Sequence, residues 1–175
     1  MSGGRDKWAY LGHLLIHQDT LVAVGGHRHE TIILASSDGR HTHELGTPNT
    51  PGLRAGLSDG ERLWVVGEYG MVAYTDDWGD SWTEVDEGGS SCLFAITRSA
   101  SGSILIGGSD GGLWESFDDG VTWTDLEGSV DDTIGGIVVV GDSEFFLRSD
   151  GQLSRRQGKA WSLIKTGASS RLCAL

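Results

Sequence analysis

Apolar residues along this chain come in short runs, separated by polar clusters rich in Gly, Asp and Ser. The stretch from residue 92 to 126 shows the pattern most clearly. CLFAITR (92–98) is followed by SASG, SILIGG (103–108) by SDGG, LWESF (113–117) by DDGV, and TWTDL (122–126) closes the unit. Each run is short, holds β-branched or aromatic residues and is bounded by turn formers, which predicts four strands joined by tight turns. No segment combines a helical apolar stripe with capping residues, so an all-β chain is expected.

The unit repeats. TDDWGDSW (75–82) and SFDDGVTW (116–123) carry the same residue types at the same offsets: Thr75 with Ser116, Asp77 with Asp118, Gly79 with Gly120, Ser81 with Thr122, Trp82 with Trp123. Trp161, in GKAW, continues the series. SSDGRHTH (36–43) precedes it, keeping Ser36, Asp38 and Thr42, with Gly39 one place early and His43 in the place of the Trp. Apolar runs that end in glycine mark the same period at LVAVGG (21–26), LWVVGEYG (63–70) and ILIGGSDG (104–111), with FFLRSDG (145–151) as the fourth. Four short antiparallel strands per period of roughly forty residues predict the blades of a β-propeller or partial propeller. One propeller-type domain over 1–175 is expected, with blades at about 12–47, 52–88, 91–128 and 132–167. SSRLCAL (169–175) echoes SSCLFAI (90–96), so 168–175 reads as the first strand of a fifth blade, and Lys7–Trp8 as the last strand of a preceding one.

The repeated motif has a physical reading as the turn between the third and fourth strands of a blade. The Asp accepts from backbone N–H groups of its own turn, and the hydroxyls add local bonds. The Gly supplies a positive φ, and the Trp opens the outer strand with a large apolar face and an indole donor. This motif resembles the Asp-box, the S/T-x-D-x-G-x-T/S-W turn of BNR-repeat β-propellers, a set that includes sialidase-like, sortilin-like and Ycf48-like repeat proteins. The resemblance implies that Thr75, Asp77, Gly79, Ser81, Trp82, Ser116, Asp118, Gly120, Thr122 and Trp123 are structural, because Asp-boxes lie on the blade periphery. It implies a fold and leaves function to be argued from other residues.

Composition narrows the function classes. The 175 residues carry a net charge of −12 and a pI near 4.7, so nucleic-acid backbones and anionic membranes are repelled and a basic protein partner is favoured. Two cysteines, Cys92 and Cys173, are too few for a disulfide framework. No apolar run approaches a membrane span and none reads as a secretory signal, so a cytoplasmic location is expected. All six histidines precede residue 44. His41 and His43 alternate along one strand, but no Cys or carboxylate completes a zinc set, so neither a metal nor a cofactor is expected.

Ligands of propellers usually meet the face that carries the loops between second and third strands. Here those loops offer His27, Arg28, His29, Glu68, Tyr69, Ser109, Asp110, Arg148 and Asp150 as possible binding residues. The resemblance to sialidases would demand an R-I-P-like motif, an arginine cluster and a Tyr/Glu nucleophile pair. The chain has no R-I-P, and Arg54 and Arg98 lack a third partner in the matching place. The expected function is therefore a non-catalytic protein-binding scaffold that binds or neutralises a basic protein. The alternative is a glycan-binding or glycoside hydrolase module. Four blades leave two open sides, so assembly into a homo-oligomer, such as an eight-bladed ring of two chains, or membership of a larger propeller is favoured over a closed four-bladed monomer.

Overall fold

A computed structural model describes residues 10–27, 30–49, 52–86, 89–126, 130 and 132–165. It contains four antiparallel sheets of four strands each, in simple chain order. The first sheet, blade 1, is β1 (Leu11–His17), β2 (Thr20–His27), β3 (Glu30–Ser36) and β4 (His43–Glu44). Blade 2 is β5 (Leu53–Ser58), β6 (Leu63–Gly67), β7 (Val72–Thr75) and β8 (Thr83–Val85). Blade 3 is β9 (Leu93–Arg98), β10 (Ile104–Gly108), β11 (Leu113–Ser116) and β12 (Thr124–Asp125). Blade 4 is β13 (Ile134–Val140), β14 (Ser143–Arg148), β15 (Leu153–Gln157) and β16 (Ala160–Ile164). The strands predicted from the apolar runs are present, the outer ones shorter than expected because the repeated turn takes up residues on both sides of it. The segments read as a preceding and a fifth blade, Lys7–Trp8 and 168–175, lie outside the described residues.

The blades are stacked face to face, and the core lies in the seams between them. Val22, Val24 and Ile33 of blade 1 pack with Leu53, Leu63 and Val65 of blade 2. Trp64, Val66 and Val72 of blade 2 pack with Leu93, Ile104 and Ile106 of blade 3. Leu105 and Leu113 of blade 3 pack with Ile134 and Phe146 of blade 4. Strands β6 and β10 are buried along their whole length, as expected of strands with a neighbouring sheet on both faces. The first strands adjoin in the order β1, β5, β9, β13, and no comparable packing joins β13 back to β1 among the described residues. The four blades thus form an open arc.

The first strands share one device. Leu11, Leu53 and Ile134 each precede a register shift in the pairing of their strand with the next. The extra residue at such a bulge turns the strand end, and Leu53 and Ile134 thereby enter the seam with the preceding blade.

Candidate functional site

Both full copies of the repeated turn close the same hydrogen-bond circuit. The Thr75 hydroxyl donates to Asp77 Oδ1 (2.7 Å) and accepts from the Gly79 N–H (2.9 Å). Asp77 in turn accepts from the Ser81 N–H (2.9 Å) and the Ser81 hydroxyl (2.6 Å). Ser116, Asp118, Gly120 and Thr122 repeat these contacts, with Thr122 giving 2.8 Å from its N–H and 2.6 Å from its hydroxyl. Gly79 (φ 88°) and Gly120 (φ 84°) lie in the left-handed region. A Cβ on Gly79 would stand 2.8 Å from the Gly46 carbonyl oxygen, and one on Gly120 2.6 Å from the Trp64 ring. The Trp82 indole donates to that same Gly46 carbonyl (3.0 Å). Trp82 packs on the seam of blades 1 and 2, and Trp123 on the seam of blades 2 and 3. Each turn thus fastens its blade to the one before it.

The donors of the turn hold the Asp77 carboxyl at about 2, the Ser81 hydroxyl and amide contributing most, and they hold Asp118 below the ordinary carboxylate range through Thr122. A depressed folded-state value means stability that is present above the unfolded value near 4 and lost as the pH falls from there toward 2. Acid titration followed by intrinsic tryptophan fluorescence is expected to show unfolding in that window. A transition centred above pH 5 would exclude these carboxylates as its cause.

The first unit departs from the sequence reading. Its turn is one residue shorter, so His43 pairs with Ala35, the ladder place that Thr83 holds against Tyr74 and Thr124 against Glu115. His43 therefore stands one position beyond the Trp it was expected to replace. His41 is the residue that takes over a role in the motif. Its Nδ1 lies 2.7 Å from Asp38 Oδ2, where Ser81 and Thr122 place their hydroxyls, and Asp38 is held well below the usual range, first by the His41 amide and ring. In the fourth unit, Gly158 and Lys159 make a two-residue hairpin between Gln157 and Ala160, without an acid. Trp161 still packs on the seam behind it, 5.1 Å from Phe146.

The turns between second and third strands lie at the opposite end of the blades. Glu68–Gly70 and Ser109–Gly111 are single 3₁₀ turns with Tyr69 (φ 59°) and Asp110 (φ 55°) in the left-handed region. Such strain in a non-glycine residue persists where its surroundings over-determine it. Here the surroundings are the chain leading into the next blade. Gly70 N–H donates to Ser91 O (2.8 Å), and Asp110 N–H to Thr133 Oγ1 (3.4 Å). Arg54 bridges Glu68 (2.6 Å) and Arg148 bridges Asp150 (3.0 Å). The Ser149 hydroxyl donates to Asp132 (2.6 Å) and keeps it below its usual range. Glu68, Tyr69, Ser109, Asp110, Arg148 and Asp150 therefore stand at one end of the arc, on turns fixed to the scaffold. The Tyr69 side chain is 70% exposed. The backbone of His27 ends β2, and Arg28 and His29 lie outside the described residues.

At the end that carries the repeated turns, two interblade clefts hold charges that the sequence reading did not single out as a site. Arg98 bridges Asp59 of blade 2 and Asp119 of blade 3, each at 2.9 Å. Between blades 3 and 4 is a cleft of about 670 Å³ walled by Phe117, Leu126 and Trp161. Its floor is a buried ionic triad. Arg156 donates to both oxygens of Glu115 (2.6 and 2.9 Å) and to Glu144 (3.1 Å), while Ser103 donates to Glu115. Burial opposes ionisation of Glu115, but Arg156 and Ser103 outweigh it and hold the carboxyl below its ordinary value. Burial likewise opposes the Arg156 charge, and the two glutamates reverse the effect. An acid held ionised in this way is the reverse of the proton donor that a glycosidase needs. Among the described residues, no group of three or more His, Cys, Asp or Glu is placed to hold a metal. Charged residues inside largely apolar strands, as Glu115 in LWESF and Glu144 in SEFFLR, are the only sequence signal for this triad.

No family model matches the sequence, and no curated protein is similar to it by sequence. Solved structures do resemble it. One is Ycf48 bound to a D1 peptide, with TM-score 0.66 and 16% identity, over 89% of this chain and 53% of that one. Another is Ycf48 from Cyanidioschyzon merolae, with TM-score 0.67 and 13% identity, over 95% and 60%. A third is virginiamycin B lyase from Staphylococcus aureus, with TM-score 0.71 and 13% identity, over 93% and 57%. These are β-propellers, and the chain has the fold of part of one. It spans little more than half the length of each of these chains.

Proposed function

We propose that the chain is a protein-binding propeller module that holds a basic peptide segment against the turns between second and third strands. The observation that carries this reading is the fixing of those turns. The turns of blades 2 and 3 are tied to the chain entering the next blade, so that Tyr69 and Asp110 are presented in strained, ordered conformations. Binding residues are commonly loop residues positioned by a rigid scaffold, and preorganisation lowers the entropic cost of binding. The net charge of −12 favours a basic segment. The solved Ycf48 with a D1 peptide is a propeller of similar fold that holds a peptide, which supports the class of partner. On this reading the repeated turns at the other end, with Asp77 and Asp118, serve stability.

Fluorescence anisotropy with matched basic, neutral and acidic peptide pools tests this. The basic pool is expected to bind best and to weaken with salt. Tyr69→Ala is expected to weaken it about tenfold, as loss of one aromatic anchor does. Equal affinity for acidic and basic pools, or full affinity in the Tyr69→Ala protein, would sink the reading. The cleft between blades 3 and 4 favours a second reading, a glycan site, because Phe117 and Trp161 offer aromatic faces beside polar groups. A glycan array that lights up for the native chain and goes dark for Phe117→Ala would place it first.

A further inference from the structure

The seams of the arc are all of one kind, and each end of the arc presents one half of such a seam. The leading residue of a blade's first strand plugs the seam behind it: Leu53, Leu93 and Ile134 are 0% exposed, whereas Leu11, which occupies the same place in blade 1, is 45% exposed. The second strand agrees. Register aligns Leu21 with Leu63 and Ile104; those two are 0% exposed and Leu21 is 38%. Leu14, opposite Ala23, holds the place of Ile96 opposite Ile106 and is exposed. The rear face of blade 1 is therefore a seam surface with no blade behind it among the described residues.

Blade 4 presents the other half. Register aligns Phe145 with Trp64 and Leu105, which are buried in forward-facing seams. Val138, opposite Phe145, holds the place of Leu57 opposite Trp64, and Leu57 packs against the next blade. Val138 and Val140 are exposed, and Phe145 and Leu147 are only half-buried. Places that hold buried or half-buried apolar side chains in internal seams thus carry exposed or half-buried apolar side chains at the two ends of the arc, among the described residues.

We propose that the occupant of both faces is a second copy of this chain, with blade 4 of each copy seated on blade 1 of the other to close an eight-bladed ring. The contact continues the seam already made three times within the chain, with the same blade order and the same side-chain places. The two faces are different surfaces, so the association is head to tail, and a two-fold operation about the ring axis forms both seams at once. Apolar surface removed from water at two seams drives it. The solved propellers that resemble the chain are matched over only 53–60% of their own length, so each has further chain beyond the part that corresponds to this arc.

Light scattering on the 175-residue chain over a dilution series tests the ring. The expected mass is about twice 18.7 kDa. Leu14→Arg and Val138→Arg change side chains that are exposed in the single chain, so each variant is expected to keep its far-UV β spectrum while the mass falls to that of one copy. A monomeric native chain overturns the proposal. So does a dimer that only one of the two variants disrupts, since that would be face-on-like-face pairing. A mass that grows beyond two copies overturns it too, since the arc would then extend rather than close.

Discussion

Replacing Arg156 by Met is expected to lower the stability of the fold by about 3–5 kcal/mol, the scale on which a buried ion pair is broken by removing one partner. Arg156, Glu115 and Glu144 are all buried, at 8%, 5% and 7% exposure. The guanidinium is forked onto Glu115 of blade 3 and reaches Glu144 of its own blade, so its loss leaves two carboxylates facing each other without a cation. The cost lies in those stranded charges more than in the lost attraction. Two further outcomes follow. Combining Arg156→Met with Glu115→Gln and Glu144→Gln removes the stranded charges and should recover most of the loss. In the single variant Glu115 stays buried but loses the cation that outweighs its burial, so acidifying from neutral toward pH 4 should restore part of its stability relative to the native chain. Urea unfolding of the three proteins at two pH values measures both. A single variant that loses less than about 1 kcal/mol would mean that the triad is solvated through the cleft and contributes as a surface pair does.

The triad also shows where the sequence stops being readable. Its members sit in two different sheets, with Arg156 in β15 and Glu115 in β11. Strand alternation says that each points out of its sheet but not which neighbouring sheet it meets. That depends on how blades stack, which is a property of the whole arc. The repeated turn was legible for the opposite reason. Thr75, Asp77, Gly79 and Ser81 satisfy one another within seven residues, so spacing alone carries the geometry. In the fourth unit the motif survives only as Gly158 and Trp161, because a two-residue hairpin takes the place of the acid and hydroxyl there. In the first unit, the shortened turn moved His43 by one ladder place and brought His41 onto Asp38. A count of offsets cannot anticipate this, since the alternation of faces turns on a single residue. The turns between second and third strands were placed at one end by topology alone. Their left-handed Tyr69 and Asp110, and the bonds that hold them, come from contacts with the next blade.

Trp64→Ala is expected to cost about 3–5 kcal/mol, within the range for emptying a fully buried aromatic site. Trp64 is 0% exposed and lies at the centre of the seam between blades 2 and 3. It packs against Tyr74 at 4.7 Å between ring centres, and Gly120 of the blade 3 turn comes so close that a Cβ there would meet the ring. The site has little means to collapse, because the turn resting on it is fixed by the circuit of Ser116, Asp118 and Thr122. The indole N–H donates to Asp59 (3.0 Å), and Asp59 also takes Arg98 of blade 3, so one side chain joins the apolar seam to the ion pair at its rim. Trp64→Phe separates the two contributions. It keeps much of the apolar volume and removes the donor, and because Asp59 retains Arg98 the loss should be about 1–2 kcal/mol. Comparing the two variants by denaturant midpoint decides which contribution dominates. Equal losses would assign the stability of this seam to the hydrogen bond, and a Phe variant near the native midpoint would assign it to packing. The larger part is expected from packing, because the seam repeats in all three junctions while the indole-to-Asp59 bond belongs to this one.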